Sequence, residues 1–373
     1  MTPLGTGCAK RARGVTTTQK GPGVIGLLMD SGRFLGPQIS GCQSDPPPSP
    51  EMFILNEEPE RFREVEDQLR KVLRSSEVRP RGLVRGGCIS QTQNFDTDCG
   101  KMFVKINHGT QARTMFSGEV ASLEEIRRTC TVRVPEPVAV TELPGGGALL
   151  IMKHIEMQQI SRFAEKLGEQ LADLHLHNQA MLKMAQKTRG TIGKSSADLQ
   201  PVEMFGFHTT TCCGYIPQVN EWQEDWLTFF TSQRLQPQIS LMEKDYGDRI
   251  ILGLWSELQV KIQNAFKDTV VVPSLLHGDL WEGNAAEDEY GPVLFDPGSF
   301  YGHSECDLSI GEIFGAQSGC FYSSYHKKVP RAPGHELRQW LYQLFHLLNN
   351  WNHFGLAFRG VTENLMRCLL QVL

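Results

Sequence analysis

Apolar positions recur at different spacings along this chain, and each change of spacing marks an element. Residues 3–50 show no apolar period; Gly, Pro, Thr and Ser dominate, ending in the run Pro46, Pro47, Pro48, Ser49, Pro50. Such a stretch cannot bury enough apolar surface to order itself. Residues 101–106 alternate, with Phe103 and Lys105 on one face and Val104 on the other, which predicts a strand. Residues 110–128 switch to helical spacing, where Ala112, Met115, Phe116, Val120 and Leu123 form one stripe. A second strand follows at 148–152, and Ser161 stands where it could cap a helix whose inward stripe is Phe163, Leu167, Leu171 and Leu174. The aromatic run 205–230 reads as part of a helical insertion or, residue by residue, as core; 340–354 reads as an aromatic helix closing the larger lobe. The pattern predicts an α+β chain: a Pro/Gly-rich extension at 1–63, a small antiparallel-sheet lobe at 64–155 and a mostly helical lobe at 156–373, with a ligand cleft between the lobes.

The chemistry concentrates near residue 280. His277, Gly278, Asp279, Leu280, Trp281, Glu282, Gly283 and Asn284 are followed by a short apolar strand ending at Asp296. Asp279 and Asn284 stand in the D-x-x-x-x-N spacing of a kinase catalytic loop, in which the Asp accepts the proton of the attacking hydroxyl and the Asn binds Mg²⁺. Asp296 supplies a second carboxylate for the metal. The alternative is chance and turn formation, since Asp before Pro is a common turn former.

Upstream, a Lys at a strand centre is expensive to bury unpaired, and Glu119 lies beside the helix stripe where it could point back at Lys105. A surface Lys and a solvated Glu are the alternative. The stretch Arg85, Gly86, Gly87, Cys88, Ile89, Ser90 fits a hairpin whose tip lies over phosphates, because glycine lets backbone N–H groups approach an anion. It is not G-x-G-x-x-G, so a plain hairpin turn remains open.

These residues, with Phe116-Ser117-Gly118-Glu119, Leu171-Ala172-Asp173-Leu174-His175, Thr211-Cys212-Cys213-Gly214 and Trp351-Asn352-His353-Phe354-Gly355, carry a resemblance. From about Val65 onward the chain resembles the fructosamine-3-kinases and ketosamine-3-kinases, of the aminoglycoside-phosphotransferase-like branch of the protein-kinase-like fold. The resemblance implies an ATP-dependent kinase acting on the 3-hydroxyl of ketosamines, the sugar adducts that glycation leaves on lysine side chains and N-termini. The 3-phosphate is a leaving group whose elimination releases the free amine, so the activity resembles protein repair. Its substrates would be glycated proteins and small ketosamines.

Carried over by position, Asp279 is the catalytic base, and Asn284 and Asp296 are the Mg²⁺ ligands. Lys105, held by Glu119, contacts the ATP phosphates, which the loop of Gly86, Gly87, Cys88 and Ser90 covers. Lys153, His154 and Ile155 form the hinge for the adenine. Trp281 packs against the sugar amine or serves as wall. The family's first helix corresponds to 65–74. Gly278 replaces the Arg of protein kinases, Pro297 replaces the Phe of D-F-G, and no A-P-E-like element follows. Those departures point to a constitutively assembled small-substrate kinase. The rivals are a kinase for another small hydroxyl compound, aminoglycoside- or choline-like, and an inactive nucleotide-binding scaffold.

Composition adds limits. The 373 residues, 40% of them hydrophobic, suffice for a two-lobed core, and a net charge of −5 gives no footprint for nucleic acid. No apolar run reaches the roughly 18–20 residues of a membrane span. Ten irregularly spaced cysteines fit neither a disulfide scaffold nor a zinc site, so a reducing cytoplasm is expected; a monomer is the working reading, with the choice between monomer and dimer left open by the sequence. Cys88, among glycines, is a redox candidate that could link two chains as a dimer. Lys10, Arg11, Arg13 and Lys20 in the extension leave a mitochondrial address open; deleting residues 1–60 is expected to leave turnover unchanged.

Overall fold

The computed structural model of the protein describes residues 58–86, 89–189, 201–315 and 317–373, and statements below concern those residues. The small lobe comprises α1 (Glu58–Leu73), β1 (Val78–Gly86), β2 (Gln91–Thr97), β3 (Gly100–Asn107), α2 (Ala112–Thr129), β4 (Pro137–Glu142) and β5 (Ala148–Lys153). The strands form one antiparallel sheet in the order β1-β2-β3-β5-β4. Helix α1 begins at Glu58, inside the segment expected to be extension and ahead of the 65–74 helix. Pro59 suits a first helical turn, where no intrahelical N–H bond is lost.

Alternation along β3 gives the sheet two functions. Met102, Val104 and Ile106 pack with Val65 and Leu69 of α1 and with Leu149 and Ile151 of β5 in a core of their own. Lys105 therefore faces the other way, toward α2 and the large lobe. Helix α2 is wedged there by Phe116, Leu123 and Ile126, all 0% exposed. Gly118 lets it press on the segment at Thr210, because a Cβ at that position would collide with the Thr210 carbonyl.

The large lobe begins with β6 (Gln158–Gln159) and α3 (Ala164–Arg189), followed after the undescribed stretch by β7 (Thr211–Cys213) and β8 (Ile216–Gln218). Helices α4 (Trp226–Phe230), α5 (Gln236–Tyr246) and α6 (Arg249–Lys261) follow; a π-helical turn (Thr231–Leu235) joins the first two. Then come β9 (Ser274–Leu275), β10 (Ala285–Glu287), β11 (Pro292–Leu294) and β12 (Tyr301–Gly302). The chain closes with α7 (Cys306–Ser309), α8 (Gly311–Phe314), α9 (Gly319–Lys328), α10 (His335–Phe354) and α11 (Arg359–Val372).

Three expectations change in detail. The 205–230 run is not uniformly helical: it opens with the β7–β8 hairpin, and Phe205, Phe207, Trp226, Phe229 and Phe230 are core, with Trp222 exposed. The aromatic helix is longer than 340–354 and central rather than peripheral, since Leu341 to Asn349 are buried. Ser161 is not the N-cap of α3. Its hydroxyl donates to the buried Glu287, whose other carboxylate oxygen accepts from the amides of Ser161, Arg162 and Phe163. A carboxylate from β10 thus holds the turn leading into α3, satisfying three backbone amides where one hydroxyl would satisfy one.

Candidate phosphotransfer site

The catalytic-loop segment is pinned before its reactive residue. Asp307, in the first turn of α7, accepts from the amides of His277 at 2.7 Å and Gly278 at 2.8 Å, and lies 3.1 Å from His175 Nε2. The amides and His175 outweigh burial, so its carboxyl stays below the usual range. Burial keeps His277 neutral. Its Nε2 donates to the Phe295 carbonyl at 3.0 Å, and its Nδ1 accepts from the Asp279 amide at 3.3 Å, which ties the loop to the strand leading to Asp296. Gly278 has φ +87°, and a Cβ there would strike the Gly298 carbonyl; an Arg in that place would not fit this loop.

Asp279 follows, half-buried and facing the cleft. Asn284 Nδ2 donates to the Asp279 carbonyl and to its Oδ2, both at 2.9 Å, which fixes the carboxylate and leaves the Asn284 Oδ1 as a free acceptor. Burial, then the charge of Asp296, pushes the Asp279 carboxyl up to about 7, a value suited to a general base.

Lys105 Nζ lies 2.7 Å from Glu119 Oε1 and 2.5 Å from Asp296 Oδ1. Burial works against its charge, but the two carboxylates overcome it and hold the ammonium above its ordinary range. Burial pushes Glu119 up against the pull of Lys105, and Asp296 adds to the push. One cation facing two carboxylates leaves this corner with negative charge to spare. Asp296 has φ +58°, strained for a non-glycine residue, and its side chain is 44% exposed toward the cleft.

The hairpin expected over the phosphates is the β1–β2 connection. Gly86 pairs with Gln91, and Ser90 lines the cleft. Asn107 of β3 donates from Nδ2 to the Ile89 carbonyl at 3.1 Å and to Ser90 Oγ at 3.3 Å. Gly87 and Cys88, with the redox reading of Cys88, lie outside the described residues. The hinge needs a partial correction. The Lys153 amide is bonded to the Glu136 carbonyl at 2.9 Å and the His154 amide to the Lys101 carbonyl at 3.1 Å. Sheet pairing has used those two donors, so they are not open to a base edge. Trp281 is half-buried between the main cleft and a shallower one beside Met157 and Phe295.

The main cleft holds about 470 Å³. Its lining carries Lys105, Glu119, Asp279, Asn284 and Asp296 in one part, and Cys213 of β7 with His346, Asn350 and Phe354 of α10 in another. Asp307, Asn107 and these α10 residues were given no role from sequence, although a signal for α10 exists. His346, Asn349, Asn350 and His353 recur at i, i+3, i+4 and i+7, on one face of a largely buried helix.

Asp279, Asn284 and Asp296 offer oxygen only, two carboxylates and one amide. Among the described residues no three His, Cys, Asp or Glu side chains form a metal cluster. A donor set of this kind fits Mg²⁺, a hard cation that relies on water and phosphate oxygens for the remainder of its shell and needs no all-protein cage.

A sheet lobe with a Lys–Glu pair, over a helical lobe with an Asp–Asn loop and a second Asp, defines a two-lobed phosphotransferase of protein-kinase-like fold. The fructosamine kinase family profile matches residues 61–372. Mouse ketosamine-3-kinase is 53% identical over 82% of this chain and 99% of its own. The chloroplastic protein-ribulosamine 3-kinase of Arabidopsis thaliana is 35% identical over 80% of this chain and 85% of its own. A crystal structure of a candidate fructosamine-3-kinase from Haemophilus somnus superposes with TM-score 0.69 at 21% identity, covering 83% of this chain and 97% of that one, a likeness of fold. The chain belongs to the fructosamine kinase family.

Proposed function

We propose that this chain transfers the γ-phosphoryl group of ATP to the 3-hydroxyl of ketosamines, the fructose- or ribulose-derived adducts of lysine. The observation that carries the reading is the placement of Lys105 between Glu119 and Asp296 in the cleft that Asp279 also faces, in a member of this family.

The residues divide the work. Asp279 accepts the proton of the 3-hydroxyl as its oxygen bonds to phosphorus and the bond to the ADP oxygen breaks. Lys105, steadied by Glu119, sets positive charge against the phosphate oxygens. Asn284 and Asp296, with Asp279 nearby, would hold Mg²⁺, which neutralises charge on the transferring phosphoryl group when bound. Asn107 fixes Ser90 and the hairpin backbone over the phosphates, and Asp307 keeps the loop in register. Trp281 offers an apolar wall between nucleotide and acceptor.

On this reading glycated proteins and small ketosamines are the substrates, removal of the sugar is the outcome, and the chain acts as a cytoplasmic monomer. The test is ATP turnover by the purified, reduced chain on a lysine fructosamine and a lysine ribulosamine, with Asp279→Asn as control. Turnover on both, lost in the variant, is expected. Turnover on the ribulosamine alone would narrow the substrate, and turnover on neither, with nucleotide bound, would overturn the reading.

A further inference from the structure

The α10 wall of the cleft holds four polar side chains, and the hydrogen bonds sort them into two pairs. Asn349 and His353 are spent on the protein. Asn349 Nδ2 donates to Cys213 Sγ at 3.2 Å, and its Oδ1 accepts from Gln238 Nε2 at 3.2 Å. His353 Nδ1 donates to the Asn349 carbonyl at 2.7 Å, and its Nε2 accepts from the Tyr215 amide at 3.1 Å. These bonds fasten the β7–β8 turn to α10, and Gly214 sits under the His353 ring where a Cβ would not fit.

His346 and Asn350 are different. His346 lines the cleft yet is only 5% exposed, and its Nδ1 is buried with no hydrogen-bond partner. Folded proteins rarely leave such a group unpaired, and the imidazole that carries it is part of the cavity lining. Burial drops its pKa to about 4, with Asp307 pulling weakly the other way, so the ring is neutral near pH 7. Neutral imidazole offers one donor and one acceptor, the complement of a hydroxyl. Asn350, one turn on, spends its Nδ2 on the His346 carbonyl at 2.8 Å, which leaves Oδ1 as the acceptor it can offer. The pair is uncharged, whereas the same cleft also carries Lys105, Glu119, Asp279 and Asp296.

We propose that His346 and Asn350 bind hydroxyls of the ketose chain other than the one phosphorylated, and so set which sugar the kinase accepts. The inference rests on the proposed ketosamine-kinase reading and assigns its acceptor subsite. A neutral donor–acceptor pair beside a charged phosphoryl site separates the two halves of the reaction: charge handles phosphate, and hydroxyl pairing handles the sugar.

The experiment compares wild type, His346→Ala, His346→Gln and Asn350→Ala on lysine fructosamine and on its 4-, 5- and 6-deoxy analogues. Circular dichroism and melting temperature report folding. His346→Ala is expected to raise the fructosamine KM about 10-fold while the ATP KM stays within about 2-fold, the effect of one lost hydrogen bond. The same variant should match wild type on the one deoxy analogue that lacks the hydroxyl paired with His346. His346→Gln should recover part of the loss. Equal losses on every analogue, or none, would overturn the assignment. Should His346→Ala fail to fold, His346→Gln and the half-buried Asn350→Ala carry the same analogue test. Wild type inactive on every ketosamine would instead sink the underlying reading and the inference with it.

Discussion

The two walls of the cleft follow different rules. The phosphate wall is charged: Lys105 between two carboxylates, with Asp279 raised in pKa by burial and by Asp296. The α10 wall is neutral, built of Asn and His side chains and saturated except at His346 and Asn350. Charge can be read at a distance and from few residues, because the chemistry dictates residue types at fixed spacings. Hydroxyl recognition can be met by many polar side chains in many places, so its residues follow the fold rather than a motif.

The largest effects should come from the charged wall. Asp279→Asn is expected to lower kcat about 10²–10⁴-fold, with the nucleotide still bound, as followed by turnover and nucleotide titration. Asp296→Asn should lose as much and also weaken nucleotide binding. A folded Asp279→Asn that turns over near the wild-type rate would remove the base assignment and with it the contrast between the walls.

Stability should then distinguish a pair of carboxylates that serve the same loop. Asp307 is ionised and fully used by amides of His277 and Gly278 and by His175. Asp307→Ala should cost about 2–4 kcal/mol, the usual range for stripping a buried charged acceptor from its partners, and lower kcat by misplacing Asp279. Asp279 has the opposite sign. Its folded pKa of about 7 lies above the ordinary value of 3.8, so the folded state binds the proton more tightly, and stability declines as pH rises between those values. Asp279→Asn should therefore melt higher than wild type at pH 8, by about 1–2 kcal/mol after allowance for partial exposure. Thermal melts of both variants at pH 5 and pH 8 would show whether the signs differ; a destabilised Asp279→Asn would refute the raised pKa.

The same shift predicts a pH profile. Ionised Asp279 is the active form, so kcat/KM should climb with unit slope from the acid side and level off above a midpoint at or below about 7, a bound cation drawing it downward. A flat profile from pH 5 to 8 would place the base elsewhere.

What the sequence made legible divides along the same line. Asp279, Asn284, Asp296, Lys105 and Glu119 could be named because the spacing of a loop, the centre of a strand and the stripe of a helix each constrain where a side chain points. The alternation that sends Val104 to the α1 core sends Lys105 to the cleft. Asp307 lies 28 residues beyond Asp279 in number, and only folding brings it beneath the loop. Glu287 under the turn before α3 is another long-range contact, unavailable to a local reading of Ser161. The hinge was legible as a strand end but not as hydrogen bonds: which amides β4 and β3 would claim depends on sheet order, and that is a tertiary fact. His346 and Asn350 sit in a helix whose middle, Leu341 to Asn349, is buried, and only folding brings them to the cavity that Cys213 of β7 also lines.

The smallest effect should fall where the charged wall meets backbone. Asn107 holds the Ile89 carbonyl and Ser90 Oγ, and its own Oδ1 accepts from the Gly109 amide at 2.8 Å. It is a neutral residue acting on a charged substrate through the hairpin. Each neutral hydrogen bond is worth about 0.5–1.5 kcal/mol net, and the loop keeps its β1–β2 pairing without this one. Asn107→Ala should thus raise the ATP KM about 3–10-fold with the ketosamine KM unchanged, the mirror image of the pattern expected for His346. Steady-state kinetics with each substrate varied in turn separate the two: a rise in both constants would mean that the walls are coupled through the small lobe rather than dividing phosphate from sugar.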